Sequence, residues 1–188
     1  MASEARPTGR DDDDSLMIRV AARDEAAFGL LAEQHGQVPY RIGYRMLGDR
    51  AEAEDISQES LLRLWDGAER WRAGGSGVAA WLTRVAVNLA LDRLRRRRFV
   101  ADVAIPERAD DGPAADEEIE REQTRAAVVA CIAALPDRQR AAIVLTYYEE
   151  VANREAAEML EMNLKGFESL LFRARAALRQ ALEGSDAR

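Results

Sequence analysis

The stretch AWLTRVAVNLALDRLRRRR, residues 80–98, decides the fold class. Leu82, Val85, Ala86 and Leu89 recur at three- and four-residue spacing, which at about 100° per residue gathers them on one stripe of a helix. Arg84, Asn88, Leu91 and Arg95 share the opposite side, flanked by Asp92. The polar side carries chemistry. Arginine offers a fixed fork of donors and asparagine both donates and accepts, so the pair suits phosphates and base edges. Arg95–Arg98 are four arginines in a row, which favours anion contact over a merely solvated helix end.

Outward from this helix the pattern stays helical. Ala, Leu, Glu and Arg dominate, five prolines stand in 188 residues, and strand signals are weak, so the expected fold is all-α. Upstream, Trp71-Arg-Ala-Gly-Gly-Ser-Gly77 is too glycine-rich for helix and reads as a loop. Before it, Asp49 with Glu52 three residues on forms a capping-box variant that starts a helix to about Trp65. Its apolar positions are Ile56, Leu61, Leu64 and Trp65, and its acids outnumber Arg50, giving one acidic side. Gly48 ends the segment Tyr40–Leu47, Gly36 with Pro39 marks a break, and Asp24 caps a helix running to His35.

Downstream, Leu135-Pro136-Asp137 opens a helix with proline at the first position, where its missing N–H is not needed. Asn153 is expected to cap a short helix to about Glu161, and Asn163 a second one. Together these form a helix-turn-helix candidate. In the second helix Leu164, Phe167, Leu171, Ala174, Leu178 and Leu182 line the core side, while Lys165, Ser169 and Arg173 lie opposite.

Net charge is −7, but it is distributed in blocks. Residues 84–98 hold six arginines against Asp92, and residues 164–182 hold four basic groups against Glu168. Between them ADVAIPERADDGPAADEEIERE, residues 101–122, carries nine acids and two arginines with almost no apolar periodicity. Such a segment buries too little surface to offset its ordering entropy, so it reads as a self-repelling tether. It divides the chain into a domain at 15–100 and another at 123–184, after an acidic tail at 1–14 expected to be disordered.

No apolar run approaches the roughly 18 residues that span a bilayer, and residues 1–14 are polar rather than a signal peptide, so a cytoplasmic location is expected. One cysteine, Cys131, and one histidine, His35, leave no internal disulfide and no Cys/His zinc set; both read as structural residues, and no cofactor is expected.

Four segments in this order, GDRAEAEDISQESLLRLW (48–65), AWLTRVAVNLALDRLRRRR (80–98), LPDRQRAAIVL (135–145) and NREAAEML with ESLLFRARAALR (ending at Arg179), resemble regions 2 and 4 of extracytoplasmic-function sigma factors. The resemblance implies a non-enzymatic transcription initiation factor, acting in a stress or envelope response. It implies that Asp55, Gln58, Glu59, Leu62 and Trp65 dock on the β′ clamp helices of core RNA polymerase, with the β flap as a further contact. The Arg72–Val78 loop, including Ser76, and the helix bearing Trp81, Arg84, Asn88, Asp92, Arg95 and Arg96 would bind the −10 element and capture an unstacked base. The C-terminal helix, through Lys165, Glu168, Ser169, Phe172 and Arg173, would enter the −35 major groove, with Arg138 and Arg154 on phosphates. An anti-sigma factor is the implied regulator. A 22-residue tether reaches at most about 70–80 Å, enough for a spacer of roughly 54 Å.

The chain departs from the family pattern at Glu161, where glycine is usual, and at Glu168, Leu170 and Phe172, often basic or polar. Glu168 suits a cytosine amine and Phe172 a thymine methyl, or either suits a protein partner, so no −35 sequence follows. A sigma-mimicking regulator would be expected to lack the basic helix and to carry a receiver domain. An ordinary helix-turn-helix repressor leaves the acidic helix and the Trp/Gly loop without a purpose. An enzyme finds no phosphate-binding Gly-Lys motif, metal set or nucleophile triad.

Overall fold

The computed structural model describes residues 9–101 and 130–186. The segment expected as a tether, apart from Ala101, lies outside them, as do residues 1–8 and 123–129. Among the described residues every regular element is helical. In chain order these are α1 (Gly9–Ala21), α2 (Glu25–His35), α3 (Gln37–Leu47), α4 (Arg50–Gly67), a 3₁₀ turn (Ala68–Arg70), α5 (Val78–Ala101), α6 (Asp137–Ile143), a π-helical turn (Val144–Tyr148), α7 (Asn153–Met159) and α8 (Leu164–Asp186).

The helices begin where side chains can satisfy the first free N–H groups. Asp24 accepts from Ala27 N at 3.1 Å to start α2. That hydrogen bond, aided by Arg19, holds the Asp24 carboxyl below its ordinary value. Asp49 accepts from Glu52 N at 2.9 Å to start α4, and Asn163 accepts from Gly166 N at 2.7 Å to start α8. Gly48, at φ +70°, ends α3 in a conformation few side chains tolerate. Two starts differ from expectation by one residue. Asn153 is already helical and Ala152 holds the cap position without a side-chain bond; Pro136 caps α6, and Asp137 is its first residue. The extended backbone that marks each cap falls on Ala152, one residue before Asn153, and on Pro136 itself, so each helix begins one residue later than the cap.

The described residues separate into two compact units, residues 9–44 with 49–89, and residues 45–48 with 90–101 and 130–186. This division falls inside α5, which contributes residues to both units. The first unit's core joins Leu16, Met17 and Val20 of α1 to Ala27 and Leu31 of α2, Leu64 of α4, and Val78 and Leu82 of α5. Phe28, Trp65, Trp71 and Trp81 pack partly buried against it. Where α3 crosses α4 the backbones approach closely at Gly43: an added methyl would lie 3.0 Å from Ala53 Cα.

Residues 9–14, expected as part of a disordered tail, are helical instead. Gly9–Asp14 are the opening of α1, and Asp13 is buried, 2.9 Å from His35 Nε2. Contacts across the sequence offset the mutual repulsion of the aspartates. They also give His35 the structural role expected of it.

In the second unit α8 packs against α6 and α7. Phe167, Leu171 and Ala174 are buried, and so is Leu170. The buried Arg140 guanidinium donates to the carbonyls of Ala133 and Leu135. Burial pushes its pKa down, against the pull of Asp137. Between α7 and α8, Glu161 adopts φ +52° where relatives of the pattern carry glycine, with Glu161 N–H donating to Glu158 O and Met162 N–H to Ala157 O. A left-handed non-glycine residue costs about 1–2 kcal/mol, partly balanced by glycine's greater unfolded-state freedom. Glu161→Gly is therefore expected to raise stability by about 1 kcal/mol in urea unfolding. A lower midpoint would contradict this reading of the turn.

Candidate nucleic-acid interface

At about 100° per residue, Trp81, Arg84, Asn88, Asp92, Arg95 and Arg96 fall within an arc of about 120° on α5. The opposite stripe, Leu82, Ala86, Leu89 and Leu94, is buried with Val87 and Ala90, which forces that arc outward. Arg84, Asn88, Arg95 and Arg96 are exposed. Arg95 pairs with Asp92 one turn earlier at 2.6 Å, its side chain 80% exposed. Val85, expected on the inward stripe, is instead half-buried at the edge of a cleft.

That cleft, of about 580 Å³, opens at the N-terminal end of α5. Trp71, Arg72, Gly75 and Ser76 of the loop line it, with Trp81 and Val85 of α5 and Met17 of α1. Gly74 and Gly77 take φ of +76° and +88°, so the loop's path depends on glycine. Trp81 is half-buried against the core, so only part of its ring faces the cleft. Met17 and the neighbouring Asp14 escape a motif-based reading, because their link to the loop is made through space; the run Asp11–Asp14 is the sole local signal.

On α4, Asp55, Gln58 and Leu62 are exposed and Glu59 is half-buried, bonded to Arg63 at 2.7 Å. Leu62 stands out as an apolar side chain 60% exposed amid acids. Trp65, expected on the same docking face, lies at its edge: it packs edge-on against Phe28 with ring centroids 5.1 Å apart, beneath the Arg23 guanidinium.

On α8, Lys165, Glu168, Ser169, Phe172 and Arg173 are all exposed within an arc of about 140°. Phe172 is 72% exposed. Leu170 faces the core, so its departure from the pattern is a packing choice. The Ser169 hydroxyl bonds back to Lys165 O, and Arg173 Nε reaches Ser169 O. Arg154 is exposed at the start of α7, whereas the Arg138 guanidinium donates to Leu160 O and ties α6 to the turn. Among the described residues no cluster of three His, Cys, Asp or Glu could hold a metal ion, and no helix is long and apolar enough to cross a membrane.

Comparison with known proteins supplies the family of this geometry. Residues 31–100 match sigma-70 region 2, and residues 125–178 match sigma-70 region 4. SigW of Bacillus subtilis, an ECF RNA polymerase sigma factor, is 30% identical over 87% of this chain and 93% of its own length. SigK of Mycobacterium tuberculosis, named likewise, is 32% identical over 93% of this chain and 95% of its own. The chain belongs to the extracytoplasmic-function sigma factors. It is thus a DNA-binding transcription initiation factor. SigE of Mycolicibacterium smegmatis is 33% identical, and the chain spans 65% of that sigma factor's length.

Two solved structures share the sigma fold. CnrH, solved with the cytosolic domain of CnrY, aligns with a TM-score of 0.69 at 24% identity, covering 93% of this chain and 99% of that one. RpoE of Bartonella quintana, solved with the anti-sigma factor NepR, aligns with a TM-score of 0.66 at 22% identity, covering 83% and 96%. The region 2 match takes in α3, α4 and α5, and leaves α1 outside.

Proposed function

We propose that this sigma factor docks on core RNA polymerase through Asp55, Gln58, Glu59 and Leu62 of α4, with Trp65 stiffening the edge of that face. It reads the −10 element with the Arg72–Val78 loop and the α5 arc, and the −35 element with α8. It works by binding and strand separation, not by catalysis. The observation that carries this reading is the continuity of the arginine-asparagine arc of α5 with the tryptophan-lined cleft at its N-terminal end.

The energetics fit base capture. Unstacking a base costs a few kcal/mol, and stacking it on an aromatic ring returns about 1–3 kcal/mol. The remainder comes from phosphate contacts, for which Arg72, Arg84, Arg95 and Arg96 are placed on the surface. Asp92, paired with Arg95, orients that arginine until DNA competes for it. On α8, Lys165 and Arg173 suit phosphates, Ser169 either a base or a phosphate, and Glu168 and Phe172 base edges; Arg154 adds a phosphate contact and Arg138 chiefly braces the turn.

The partner proteins are core polymerase, through its β′ clamp helices and β flap, and an anti-sigma factor. Exposed Leu62 supports a protein contact, since a lone apolar group this open on a charged face gains from being covered. The proposed setting is the cytoplasm, in a stress or envelope response.

Permanganate footprinting tests this with holoenzyme assembled from core polymerase and the full chain. Unpaired thymines should form in one short stretch of promoter DNA, upstream of the start site. Binding that leaves every thymine paired would refute the capture of a base by the loop. Separately, Lys165→Ala should weaken promoter binding and reduce the slope of log affinity against log salt by about one. An unchanged slope would remove Lys165 from the phosphate contacts.

A further inference from the structure

Asp14 belongs to the run of four aspartates that polymerase docking and promoter reading leave unused. Its two carboxylate oxygens accept from two different parts of the loop. Oδ1 takes the Trp71 indole N–H at 2.8 Å, and Oδ2 takes the Gly74 backbone N–H at 2.8 Å. These donors stand 57 and 60 residues downstream, on either side of Arg72.

A loop with three glycines between positions 74 and 77 has no conformational preference strong enough to hold one shape. A single carboxylate bonded to both its entering tryptophan and its central glycine fixes two points at once, with charge-assisted bonds. The carboxylate is itself held in place. Asp13 beside it is buried against His35, and Leu16, Met17 and Val20 of the same helix are buried in the core. Met17 also contributes to the cleft wall, so α1 supplies both a surface and a brace to the loop.

We infer that Asp14 is a positioning residue for base capture, holding Trp71 and Gly74 so that the cleft is formed before DNA arrives. The inference rests on the reading of the loop as the base-capturing element. It assigns α1, which lies outside the region 2 match, a part in promoter opening.

The test compares the full chain with Asp14→Ala and Asp14→Asn, the second of which keeps one acceptor oxygen. In the free protein, hydrogen exchange at the Gly74 amide and the Trp71 indole should accelerate at least about tenfold in Asp14→Ala and less in Asp14→Asn. In holoenzyme, affinity for the footprinted promoter carrying a mismatched, pre-opened −10 stretch should fall about tenfold, while core polymerase affinity stays within about twofold. A merely structural role would lower stability without separating these affinities. Unchanged exchange at both donors in either variant overturns the positioning role, whatever happens to DNA binding. Faster exchange with full affinity for the pre-opened promoter overturns instead the reading of the loop as a base trap. Should Asp14→Ala fail to fold, the intermediate values expected of Asp14→Asn decide the matter alone.

Discussion

The double variant Arg95→Ala with Arg96→Ala is expected to bind core polymerase within about twofold of wild type and to lose promoter opening. Each arginine on DNA is worth about 1–3 kcal/mol, so the pair accounts for about 2–6 kcal/mol if the two contacts add. Even the lower limit is a loss of roughly thirtyfold. Folding is not at stake: both side chains are exposed, and surface changes of this kind stay within about 0.5 kcal/mol. Removing Arg95 also frees Asp92 from its ion pair and leaves an uncompensated negative charge on the arc, which deepens the loss. The measurement is a pair of titrations, one against core polymerase and one scored by permanganate reactivity. Equal loss in both would mean that the α5 arc serves the polymerase and not the DNA.

Phe167→Ala is expected to cost about 3–5 kcal/mol of stability, as removal of a fully buried aromatic side chain does. That is a large share of the roughly 5–15 kcal/mol that holds a domain folded. Phe167 sits in the first turns of α8, and without it the helix loses its seat against α6 and α7. Binding to the −35 element should disappear with the fold of these helices, while binding to a pre-opened −10 stretch persists. Phe172→Ala, five residues on and 72% exposed, is the control: its unfolding midpoint should hardly move. A loss of stability in Phe172→Ala comparable to that in Phe167→Ala would reverse the assignment of faces on α8.

The parts of this molecule that read directly from sequence are those whose information is local. The stripe of Leu82, Ala86 and Leu89 and that of Phe167, Leu171 and Ala174 are buried as their spacing predicts. Asp24, Asp49 and Asn163 cap the helices they precede. Glu161 was marked by its departure from glycine, and it occupies the left-handed conformation that glycine would favour.

What local pattern missed depends on partners far away in the chain. Four consecutive aspartates read as a repelling tail because Asp13 and Asp14 find His35, Trp71 and Gly74 only once the fold has formed. Trp65 and Trp81 carry the motif positions expected of binding residues, yet their size lets each also serve the core, and both end half-buried. Leu170 reads as a substituted contact residue, although the 100° step places it beside Ala174 and Phe167 on the buried side. The π-helical turn at Val144–Tyr148 has no signature in residue spacing.

Run-off transcription tests the central claim most directly: purified core RNA polymerase, with and without the full chain, on DNA fragments of the source genome. The account predicts discrete transcripts from defined start sites that depend on the added chain. Association with core polymerase that yields no new transcript on any fragment would contradict it.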